Sequence, residues 1–181
     1  TALLEMLVGA LDRVGIRSAV IKHDGHEFEA DVPGTDSRRI KEAGAYGTVV
    51  YSGTKFSMTK EQPSMKAEDF FGFFPEADII FLEGQKDSDY PKLEVLRREV
   101  SDVPVCRPET VLAYIWSGQI ARSGENTWSG ENARSGEDCP GRGNRRNGKC
   151  PVLTAAQKDC ILEIVIEHMD RYCRGDGGDE L

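Results

Sequence analysis

The stretch "ADIIFLEG", residues 77–84, is an almost unbroken apolar run that closes on Glu83 and Gly84. Its length and composition are those of a strand buried in a parallel sheet, where neighbouring elements cover both faces and the usual polar alternation is lost. In open parallel sheets the functional crevice lies beyond the C-terminal ends of the strands. Glu83 stands at that end of the most hydrophobic strand, where a phosphate-binding fold places a magnesium or water contact. Gly84 follows it and permits close backbone approach. A strand that simply ends in Glu at a turn reads the same way, so Glu83 alone leaves both readings open.

Working upstream, "SAVIK" is a second short strand, Ser18 to Lys22, which follows a Gly15 helix stop. The chain opens on "TALLEMLVGALDRVG", where Leu3, Leu4, Leu7, Val8 and Leu11 repeat at helical spacing. "DGHEFEADVPGTDS" carries too many turn residues for a regular element and reads as a loop. A short helix is predicted over Ser37 to Ala45, closed by Gly44 or Gly47. "GTVVYSG" and "KFSMTKE" flank Ser52–Gly53–Thr54 as a hairpin or adjacent strand pair. "AEDFFGFF" has a helical pattern. Downstream of residue 84, "PKLEVLRRE" and "ETVLAYIWSG" supply two further strands. "AAQKDCILEIVIEHMDRYC" is a final helix with Ile161, Ile164, Val165 and Met169 on one apolar face. His168 lies beside that stripe and reads as a helix-surface histidine rather than a ligand. The alternation predicts a wound α/β domain, although such folds usually begin with a strand and this order begins with a helix.

Composition narrows the function. The chain has 181 residues, is 39% hydrophobic and has a formal net charge of −8, from 31 acidic and 23 basic side chains. That balance argues against general nucleic-acid binding, which needs a basic face, but leaves room for a single nucleotide held by backbone amides. No apolar run approaches the roughly 18 residues of a membrane span. No basic-then-apolar leader is seen either, so a cytoplasmic location is expected. The five cysteines, Cys106, Cys139, Cys150, Cys160 and Cys173, form no C-x-x-C pair, so neither a zinc site nor a disulfide framework is signalled. Cys139 and Cys150 bracket a loop, where pairing or metal binding competes with the plainer reading of unrelated thiols.

That loop is compositionally distinct. "SGENTW", "SGENAR" and "SGEDCP" repeat Ser-Gly-Glu-Asn/Asp from Ser123, Ser129 and Ser135, and "GRGNRRNGK" follows. With almost no aliphatic residues to offset ordering entropy, the segment is expected to be disordered. A calcium-binding turn repeat is the alternative, without the Asp-rich loop spacing that calcium needs. The division expected is therefore an α/β domain over 1–117, a low-complexity insertion over 118–150, and a C-terminal helix over 151–175 that packs on the domain.

The chemistry-bearing side chains concentrate next to the second strand. Lys22 and His23 end it, on the same rim as Glu83. From Lys22 to Asp36 lie one Lys, two His and five carboxylates, dense for a connector. Lys22 suits neutralisation of phosphate charge, and Asp31 or Asp36 suits holding a metal-bound water. His23 and His26 form a weaker candidate metal pair. The plain reading is a hydrophilic loop before a capped helix, with Asp36 or Ser37 as N-cap.

Three long motifs, "IKHDGHEFEADVPGTDSRRIKEAGA", "EADIIFLEGQKDSDYPKLEVLR" and "RPETVLAYI", together resemble the MobB family, the GTP-binding adaptors of molybdenum-cofactor guanine dinucleotide synthesis. The likeness runs from Thr1 to about Ser117 and resumes in the last helix. It implies a P-loop NTPase-like fold, a wound and mostly parallel sheet flanked by helices, in a protein that dimerises. In this family a first strand leads into G-x-x-x-x-G-K-[ST], and "TALLEML" is similar to the helix behind that loop. Thr1 then takes the Ser/Thr place of the motif and contacts magnesium; on its own residue type it is an ordinary N-cap. The first strand and phosphate loop are not in the sequence, so residues 1–181 alone are expected to bind GTP poorly and to be unstable and inactive. The resemblance implies a nucleotide site of Thr1, Lys22, His23, Asp36, Glu83, Gly84, Lys86 and Asp87, with Thr1 and Glu83 at the magnesium. Gln85 stands where the family has an aromatic residue, and the 118–149 segment interrupts the region of base recognition. No N-K-x-D guanine signature occurs.

The function so implied is a GTP- and Mg2+-binding adaptor that assists a MobA-like guanylyltransferase in attaching GMP to molybdopterin, with weak GTPase activity in the intact protein. It implies a homodimer, GTP and the transferase as partners, molybdopterin as a further one, and neither nucleic acid nor membrane. The alternatives are a non-hydrolysing protein- or pterin-binding module and a related P-loop kinase or metallochaperone GTPase. Two His in "KHDGH" fall short of a metallochaperone's metal loop.

Overall fold

The structure is a computed structural model that describes residues 1–26, 28–97, 103–117 and 150–173. The chain divides into two compact units, one formed by residues 1–18, 77–79 and 85–181, the other by 19–76 and 80–84.

The first unit is built on a three-stranded parallel sheet. Strands β5 (Lys92–Leu96), β6 (Val111–Trp116) and β7 (Val152–Thr154) pair in that order. Residues Val111, Ala113, Tyr114 and Ile115 of β6 are buried, as expected for a central strand covered on both faces. Helix α3 (Lys158–Cys173) packs on β6, and helix α1 (Ala2–Arg13) packs on α3. Leu7, Ala10 and Leu11 of α1 and Cys160, Ile161 and Val165 of α3 are the buried positions, spaced at one face of each helix. Leu96, Val111 and Tyr114 form a core cluster against which Cys106, Trp116, Cys150 and Val152 pack. Helix α1 stops because Gly15 takes a left-handed φ of +79°. Ile16 N–H then donates to Leu11 O and Gly15 N–H to Asp12 O, each at 3.0 Å, and these two bonds satisfy carbonyls of the last turn.

The second unit holds β1 (Ser18–Lys22), α2 (Asp36–Glu42), β2 (Gly47–Tyr51), β3 (Phe56–Lys60), a 3-10 helix (Ala67–Phe73) and β4 (Ile79–Glu83). β1 pairs with β4. At the entry Arg17 O accepts from Asp78 N–H and Ile79 N–H, and at the exit His23 N–H donates to Glu83 O at 2.9 Å. The two strands therefore run in the same direction. β2 and β3 form an antiparallel hairpin with Val49 opposite Met58 and Tyr51 opposite Phe56. Helix α2 ends as α1 does: Gly44 has φ +104°, Ala45 N–H bonds Ile40 O and Gly44 N–H bonds Lys41 O.

The mixed α/β class, with parallel strands flanked by helices, is as expected from the sequence. Several details differ. β4 is only half-buried throughout, because β1 is its one paired neighbour among the described residues. The "AEDFFGFF" helix is a 3-10 segment, opened by a bond from Lys66 N–H to the Asp69 carboxylate at 2.8 Å and closed before Pro75. Helix α2 starts at Asp36, with Thr35 rather than Asp36 or Ser37 at the N-cap, since Thr35 is the last residue with extended backbone (ψ 157°). The three-residue β7 has no counterpart in the sequence reading. Cys106, Cys150 and Cys173 are free thiols, so Cys150 is not in a disulfide with Cys139. The Ser-Gly-Glu repeats, including Cys139, lie outside the described residues.

Candidate functional site

The tightest backbone approach in the second unit is at the paired strand ends. Gly84 adopts φ +87°, and a Cβ there would lie 2.6 Å from His23 O. Both facts require glycine: a side chain would be strained by the left-handed backbone and would collide with a carbonyl that cannot move without breaking the strand pair. Glu83, His23 and Gly84 are thus brought together, with Lys22 one residue before, at the C-terminal rim of β1 and β4. Lys22 and His23 are exposed and Glu83 is half-buried.

The loop after β1 is organised by its own side chains. Asp24 accepts from His26 N–H at 3.3 Å, and Asp31 accepts from Ser37 Oγ at 3.1 Å. The other Asp31 oxygen is buried with no hydrogen-bond partner among the described residues. Asp36 points outward and pairs with Arg39 at 3.5 Å, the pairing expected one helical turn on. It is also the acid of the first turn of α2.

A cavity of about 600 Å3 in the same unit is lined by Glu29, Arg38, Lys41, Glu42, Tyr46 and Glu61, among others. Its cations are already engaged. Arg38 pairs with Glu29 and with Glu42, the latter at 2.7 Å, and Lys41 lies 3.2 Å from Glu61. The hydrogen bond to Glu42, followed by the charge of Glu29, stabilises the Arg38 cation further. These residues were not picked out in the sequence, where they read as a solvated helix face and loop.

Thr1, Lys86 and Asp87 belong to the first unit. Thr1 is the positional N-cap of α1, and its side chain makes no capping hydrogen bond. Lys86 and Asp87 are exposed on the loop that leads to β5. That loop meets a half-buried polar cluster that sequence reading also missed. Glu94, 6% exposed, accepts from Val105 N–H at 2.6 Å and Cys106 N–H at 3.2 Å. Burial, and then the nearby Glu94 charge, pushes the Cys106 thiol up. Burial likewise pushes the Tyr114 phenol up and the Lys92 ammonium down. The alternation in "KLEVL" puts Glu94 on the face of buried Leu96, and that is its one signal in the sequence.

No group of three or more His, Cys, Asp or Glu able to hold a metal exists among the described residues. Mg2+ needs no such group, since it keeps most of its waters and takes one or two protein oxygens plus substrate phosphates. Glu83, a carboxylate at the strand exit, is of the oxygen-donor type that this limited share requires.

Parallel strands flanked by helices define a mixed α/β protein. The family model for molybdopterin guanine dinucleotide synthesis protein B (MobB) matches residues 1–117, and the chain belongs to the MobB family. It is 33% identical over 102 residues to the molybdopterin-guanine dinucleotide biosynthesis adapter protein of Escherichia coli, covering 54% of this chain and 58% of that one. It is 32% identical over 104 residues to the Haemophilus influenzae protein of the same name, covering 56% and 58%. The match thus spans about 58% of the length of these relatives. In structure the chain is similar to Bacillus subtilis MobB, with TM-score 0.62 and 19% identity over 92% of this chain and 88% of that one. A MobB homologue from Bacillus stearothermophilus gives TM-score 0.53 at 17% identity, over 93% and 88%. At these identities the structures speak for the fold.

Proposed function

We propose that this protein is a cytoplasmic GTP- and Mg2+-binding adapter in molybdenum-cofactor biosynthesis, acting with a guanylyltransferase that converts molybdopterin to its guanine dinucleotide. The observation that carries the reading is the Glu83–Gly84 strand exit held against His23, inside a family match whose relatives are named for this pathway. In this reading Lys22 and Lys86 meet phosphate charge, Glu83 and Thr1 share the magnesium through oxygen, and His23, Gly84, Asp36 and Asp87 border the nucleotide. Glu83 and Thr1 would be the residues that hold Mg2+, which would supply positive charge against the phosphates, and any hydrolysis would be slow phosphoryl transfer to water without a covalent intermediate. The division into a 1–117 nucleotide domain, a 118–150 insertion and a C-terminal helix belongs to the same proposal.

The β2–β3 hairpin favours a protein-facing surface. Val49 is 56% exposed, Tyr51 82% and Phe56 62%, and Met58 is also exposed. With side chains alternating along a strand, these four share one face of the hairpin. Helix α2 contacts β2, and we assign the exposed apolar face of the hairpin to a second copy in a homodimer.

The test is binding of GTP and Mg2+ by the full-length protein, compared with its Glu83→Gln variant. A weakened magnesium requirement for binding supports the reading. Unchanged magnesium dependence sinks the role given to Glu83.

A further inference from the structure

The loop of residues 85–91 is held by cations from two other segments of its own unit. Lys92, at the start of β5, donates from Nζ to the carbonyls of Ser88 and Tyr90, the latter at 2.8 Å. Arg107, in the turn before β6, pairs with the Asp89 carboxylate and reaches the Asp87 carbonyl at 3.4 Å. The loop closes on itself through Ser88, whose N–H and hydroxyl both donate to Gln85 O, at 3.2 and 2.9 Å. The backbone on which Arg107 stands is fixed in turn. The two residues before it, Val105 and Cys106, give their N–H groups to one oxygen of the buried Glu94. A carboxylate that receives two backbone donors in a dry setting is a strong anchor.

We propose that Arg107 is a positioning residue for nucleotide binding: anchored through Glu94, it grips Asp87 and Asp89 and so sets where the loop presents Lys86. This rests on the nucleotide-binding reading, in which Lys86 meets phosphate charge. The Arg107–Asp89 pair is solvent-exposed, with side chains 48% and 75% accessible. Such pairs contribute little to stability, so the role of Arg107 is the place of the loop rather than the persistence of the fold.

The test is a double-mutant cycle in the full-length protein, read by titration with a fluorescent GTP analogue in Mg2+. Arg107→Ala weakens binding about fivefold to tenfold in the wild-type background and much less in Lys86→Ala, because its effect passes through Lys86. Thermal midpoints stay within a few degrees, and Arg107→Lys restores part of the affinity. Equal weakening in both backgrounds, or no weakening where Lys86→Ala alone does weaken binding, overturns the positioning role and leaves the nucleotide reading standing. Absence of binding by the unsubstituted protein overturns both.

Discussion

Gly84 is required by the fold and stands in the proposed nucleotide site. Its left-handed backbone, and the 2.6 Å that would separate an added Cβ from His23 O, leave no room for a methyl group. Gly84→Ala is expected to destabilise the protein by about 1–3 kcal/mol, measured by urea denaturation; an unchanged midpoint with an unchanged slope would contradict the geometry. Glu83 and Gly84 were legible in the sequence because an apolar strand points to its own exit, and His23 because a second strand ends the same way. Glu94 and Arg107 were not. Their importance comes from bonds to backbone that is 11 to 20 residues distant along the chain, which no local pattern encodes. The ion pair of Asp36 with Arg39 on its own helix is of the i,i+3 kind that local spacing does show. The Cys106 thiol gives a pH test. Because burial and Glu94 hold it protonated above its ordinary range, its alkylation remains slow at pH 8 and accelerates only at higher pH. The exposed Cys173 reacts first. Mass spectrometry of iodoacetamide-treated protein reads the order, and early labelling of Cys106 would refute it.

At the scale of elements, local chemistry was largely sufficient. Both long-range strand exits, the hairpin about Ser52–Gly53–Thr54 and the two glycine-stopped helices follow from periodicity and turn residues. β7 escaped because three residues are too few to carry a period, and it exists only because β6 offers an edge to pair with. The 3-10 segment escaped because its apolar spacing imitates a helix, while Gly72 and Pro75 keep it short. Helix α3 is held by Ile161, which is fully buried. Ile161→Ala is expected to cost about 2–5 kcal/mol, seen as a lower thermal midpoint, whereas the same change at half-buried Ile164 costs less. The hairpin face belongs to this scale too. Tyr51→Lys with Phe56→Glu leaves the fold intact by circular dichroism and shifts the full-length protein toward monomer in sedimentation velocity. A variant that sediments as the unsubstituted protein does would place the dimer contact elsewhere.

For the whole molecule, the family is established over residues 1–117 and the fold by solved relatives. What the protein binds and serves follows as a proposal from one strand exit and from the names its relatives carry. Charge is consistent with that proposal: a chain at −8 does not gather phosphates through a basic surface, so a nucleotide must be held by backbone groups and a few placed cations. The most direct measurement is hydrogen exchange of the full-length protein with and without GTP and Mg2+. The account predicts slowed exchange concentrated at residues 22–23 and 83–87. GTP binding that leaves both of those segments unprotected would contradict it.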